Sequence, residues 1–156
     1  MAATLMERFQ LIKGIDPVAN AFASTVYSDV VDMSDFSRLL FVRYDGVGTT
    51  GTSTVTVNAC DNTTPSNRTP IPFRYRQILT GDTEGTLTAA AVTGFTTTAG
   101  SSKIVAIEVD ELDVASTGYR YVECKFVEVA ASAVLGGVLI FGEKKVRRAI
   151  AASSID

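Results

Sequence analysis

The fold turns on TSTVTVNACDNTTPSNRTPIPFRYRQI, residues 52–78. Alternation with a period of two puts Val55, Val57 and Ala59 on one face of an extended segment and Thr54, Thr56 and Asn58 on the other. That is the pattern of a pleated strand with one buried face. It breaks at the polar, Pro-flanked loop 61–70 and resumes as FRYR, with Phe73 and Tyr75 on one side and Arg74 and Arg76 on the other. The stretch therefore predicts a hairpin whose loop and two arginines face outward.

The same period recurs on both sides of this stretch. KIVAIEVDEL (103–112) sets Val105, Ile107 and Val109 against Ala106, Glu108 and Asp110. RLLFVRYD (38–45) is apolar on both faces over its middle, which reads as a central strand of a two-layer core. AVLGGVLIFG (133–142) reads as a buried core strand, with Gly136 and Gly137 also permitting a close subunit contact. Thr, Val, Ile, Tyr and Phe suit such surfaces. The separators DGVGTTGTS, TGDTEG and TTAGSS are turn-forming. Many short strands at this spacing predict an all-β fold: a single-domain jelly-roll-like β-sandwich with N- and C-terminal arms. Residues 1–156 read as one domain, with 1–20 as the N-terminal arm and 143–156 as the C-terminal tail. Two short helical turns are expected, one at GIDPVANAFAS with Asp16 as N-cap and Pro17 first, one in GEKKVRRAIAASS.

A chain of 156 residues is long enough to bury a core without a metal or disulfide staple. The net charge of −3 argues against a general nucleic-acid binder, which draws its affinity from many basic phosphate contacts. No apolar run reaches the ~18 residues that span a bilayer, and MAATLMERFQLIKG carries charges where a secretory core would be apolar. Synthesis in a host cytoplasm is the expectation, with Cys60 and Cys124 as reduced thiols and the sequons at Asn62 and Asn67 as chance matches.

The chain has no histidine, which removes the commonest general base and the commonest zinc ligand. The carboxylates of EVDELD lack calcium-loop spacing and read as a strand face entering an acidic turn. No catalytic, metal-binding or cofactor-binding set emerges, so the chain reads as a non-enzyme without cofactors. Arg74 and Arg76, and likewise Arg120 between Tyr119 and Tyr121, resemble single-strand nucleic-acid platforms in composition only. The period separates rings from charges and favours core rings with outward arginines. What remains for function is surface: Phe9, Leu11 and Ile12 in the N-terminal arm, Arg74 and Arg76 beyond the loop, and the basic cluster Lys144, Lys145, Arg147 and Arg148.

The blocks KGIDPVANAFASTVYSDVVDMSDFSRLLFVRYDGVGTTGTSTVTVNACD, PFRYR, GDTEGTLTAAAVTGFTTTAGSSKIVAIEVDEL, GYRYVECKFVEV and VLGGVLIFGE together resemble small virion structural proteins of tailed bacteriophages and prophages. They cover the chain from about residue 13 to 142. The resemblance implies a capsid decoration (cement) protein on the virion's outer shell. Its partners would be the major capsid protein and further copies of itself, as a homodimer or homotrimer, with neither nucleic acid nor membrane. A head-fibre base, a tail protein or a carbohydrate-binding sandwich are the alternatives. The resemblance transfers no functional residues, and the basic C-terminal tail matches nothing in it.

Overall fold

Four antiparallel strand pairs, nested one inside the next, build the body. The computed structural model describes residues 4–47, 50–79, 81–131, 134–145 and 154–155. The outermost pair is β1 (Phe9–Val18) with β12 (Gly136–Lys144). Inside it lie β3 (Val30–Asp32) with β11 (Tyr121–Ala130), and β4 (Phe36–Asp45) with β10 (Ile104–Asp110). The innermost pair is β5 (Thr52–Cys60) with β6 (Arg68–Ile71). Successive pairs fall in alternate sheets, so the chain is one long hairpin rolled over on itself, which is the jelly-roll connection.

The first sheet runs β1-β12-β4-β10-β7-β8, with β7 (Phe73–Ile78) and β8 (Thr88–Ala90) extending it. The second runs β13-β3-β11-β5-β6, with β13 at Ser154–Ile155. β2 (Thr25–Tyr27) adds to β11, and β9 (Phe95–Thr96) adds to β5. Between the sheets lie Val55, Val57 and Ala59 of β5, Val105, Ile107 and Val109 of β10, and Leu39 and Phe41 of β4, all buried. The alternation read from the sequence thus sorts these side chains correctly.

Three expectations are corrected. The 52–78 stretch is not one hairpin: β5 pairs with β6, and Pro72 marks the crossing of the chain into the other sheet as β7. The N-terminal arm 1–20 is mostly β1, an edge strand paired with β12 along its length. No helix starts at Asp16, because the segment stays extended as β1, with register shifts on either side of Ile15, as far as Val18 opposite Gly136. Pro17 is tolerated there because an edge strand leaves one row of amides without a ladder partner. Among the described residues, helix is confined to α1 (Leu5–Arg8), α2 (Glu111–Ala115) and a 3-10 turn at Met33–Asp35. The short helix expected in GEKKVRRAIAASS (142–154) is not found at its described residues, since 142–144 belong to β12 and Ser154 to β13; residues 146–153 lie outside the described residues.

Candidate functional site

Among the described residues nothing is packed as a layer on the outer face of the six-stranded sheet, and the residues of that face follow from register. β12 turns an apolar row inward, and β4 turns Leu39 and Phe41 inward, followed by Arg43 and Asp45. The alternate positions, Leu40, Val42 and Tyr44 on β4 and Leu139 and Phe141 on β12, point away from the core. Cross-strand pairing lines them up. Leu11, Phe141 and Leu40 form one row, and Leu139, Val42 and Ala106 form the next. Tyr44 and Ile104 continue into Ile78. Tyr44 is 59% exposed, Leu11 48% and Leu139 42%. An apolar band this continuous is the kind of surface that marks an interaction site.

Charges border the band. Arg38 lies between Asp110 at 3.7 Å and Glu143 at 4.0 Å, and Arg74 faces Glu108 at 4.0 Å. Arg76 pairs with Glu84. These exposed, mixed-sign contacts are individually weak, but they form the polar rim expected around an apolar contact surface.

Along β1 and β12, from Pro17 to Phe141, the band sinks into a depression of about 480 Å³. Gly137 lets the β1 backbone pass close over β12: a Cβ there would meet the Ile15 carbonyl oxygen at 2.8 Å. Ile15, Pro17, Val42, Tyr44 and Leu139 wall the depression, and Lys13 and Asp16 stand at its lip.

The residues singled out from the sequence divide. Leu11 is on the open face, and Phe9 is half-buried at the end of the same row pattern, beside Arg8. Ile12 is not a contact residue: it is 4% exposed and points into the core opposite Ile140, because alternation forces neighbours of Leu11 inward. Arg74 and Arg76 lie on the open face, as expected from FRYR. Lys144 donates to the Met6 carbonyl at 3.4 Å, and Lys145 pairs with Glu111 at 2.9 Å. Lys145 is thus engaged within its own chain, since β12 returns beside the acidic α2. Arg147 and Arg148 lie outside the described residues. Leu40, Val42, Tyr44, Leu139 and Phe141 were missed as site residues. Their signal was present, as strands apolar on both faces, but it was assigned to a doubly covered core.

Two other polar clusters are structural. On the outer face of the second sheet, Glu123 is buried beneath Arg68, whose Nε donates to it at 2.6 Å. Asn58 Nδ2 also donates to it, at 3.4 Å. The adjacent Cys60 thiol is pushed up to about 12, first by burial and then by the Glu123 carboxylate. Burial also raises the thiol of Cys124, in the core. Such thiols are inert. At one end of the core, Arg43, Asp45 and Lys103 are all buried together. Among the described residues, no group of three or more His, Cys, Asp or Glu is placed to hold a metal ion.

No protein-family model matches the chain, and no curated protein matches it. A solved structure of the Gx strain of infectious bursal disease virus is similar at 12% identity and a TM-score of 0.22. The match takes in 86% of this chain, which spans 40% of the length of that one. A score that low defines no shared fold. The strand order alone makes this a jelly-roll β-sandwich.

Proposed function

We propose that this chain is a capsid decoration protein of a tailed bacteriophage, a non-enzymatic component of the virion that lies on the assembled head and stabilises it. The observation that carries the reading is the outward band Leu11–Phe141–Leu40 with Leu139, Val42 and Tyr44, in which Leu11, Leu139 and Tyr44 are exposed and the others half-buried, rimmed by charge. A flat apolar centre with a polar border fits a protein surface better than a small ligand, which needs a deep enclosure. The extended resemblance to phage head-associated proteins supports the same conclusion.

The physics of the role is mass action. A ligand that binds only the assembled shell stabilises it by RT ln(1 + [L]/Kd), about 2.7 kcal/mol per site at a hundredfold excess over Kd. Summed over a lattice, a modest contact is sufficient, and bridging neighbouring capsid subunits adds effective concentration. A standard interface buries ~800 Å² per partner. The face offers a comparable scale, roughly 24 Å across six strands at ~4.8 Å spacing.

The test is direct. Purified protein is added to expanded heads that lack it, and bound copies and the shell's melting temperature are measured. Saturable binding at a fixed ratio to capsid subunits with a raised melting temperature is expected. Failure to bind any such head rejects the reading. Immunogold labelling of virions at one vertex or along the tail, in place of shell-wide labelling, would assign the chain to a head-fibre base or tail.

A further inference from the structure

We draw no further inference here: the strongest candidate, the apolar depression along β1 and β12 walled by Ile15, Pro17, Val42, Tyr44 and Leu139, belongs to the sheet face already described, and nothing in the structure shows what covers it.

Discussion

Arg43 and Asp45 form a forked ion pair with no exposure to solvent: Nε to Oδ1 is 2.8 Å and Nη2 to Oδ2 is 2.9 Å. Two residues apart on β4, they share the inward face. Arg43 also donates from Nη1 to Ser53 Oγ at 3.0 Å and lies 3.7 Å over the Phe22 ring. Lys103 stands 3.6 Å from Asp45 and donates to the carbonyls of Gly51 and Thr98 at 3.1 and 2.6 Å. One carboxylate therefore serves two buried cations. The cluster ties the 45–53 and 97–103 loops to the end of the core.

The two ends of this pair should differ in cost. Asp45→Asn leaves two buried cations without a counter-ion, and a loss of ~3–5 kcal/mol is expected. Arg43→Met leaves Asp45 with Lys103 and fills the space with an apolar chain, so about half that loss is expected. Urea unfolding of both variants checks the order; an equal or reversed order would remove the shared-carboxylate account.

Alkaline pH should destabilise the fold through Cys60. Its folded value of about 12 stands above the ordinary 9.0, so the unfolded thiol releases its proton first. The contribution is whole below pH 9 and is lost as pH rises towards 12. Between pH 8 and 10.5 the loss is ~2 kcal/mol, at 1.36 kcal/mol per unit. Lys103, lowered by burial, acts in the opposite sense. Cys60→Ser should therefore show a shallower fall in stability over this range than wild type, by about that amount, in denaturant titrations at the two pH values.

Removing Arg68 should expose a buried charge. Glu123 is 1% exposed and relies on the Arg68 guanidinium for its cover. Arg68→Ala should cost ~1–3 kcal/mol, and Glu123→Gln added to it should restore part of the loss. Thermal melts of the single and double variants measure the coupling; strict additivity would show that the pair is not coupled.

On the open face, Leu11→Glu should leave the melting temperature unchanged within about 2 °C, since the side chain is half exposed. The same change should weaken head binding about tenfold, whereas Arg74→Ala at the rim should weaken it less than threefold. Titration of decoration-free heads with each variant compares them.

The strands were legible because alternation is local. Val55, Val57 and Ala59, or Val105, Ile107 and Val109, can only share a face if the chain is extended. Their sharing of one face and the all-β class follow from that one period, whereas the jelly-roll order is set by which strands pair. The site was half legible. Leu11, Arg74 and Arg76 fell on the open face, but Ile12, one residue from Leu11, points the other way. β1 was hidden because Gly14, Asp16 and Pro17 interrupt its pattern, and its strand character comes from pairing with β12.

By itself the sequence determined which segments are extended, which side chains alternate together, and that no histidine-based chemistry is available. Only the tertiary structure decided what covers each face. The apolar rows on both sides of β4 and β12 look alike in the chain, yet among the described residues one meets the opposite sheet and the other faces outward, exposed or half-exposed. The same holds for Arg43 and Lys103, which composition assigns to the surface and Asp45 holds inside. Periodicity is a property of neighbours along the backbone, whereas burial and charge pairing depend on strands that meet across long sequence separations, and no local pattern encodes that meeting.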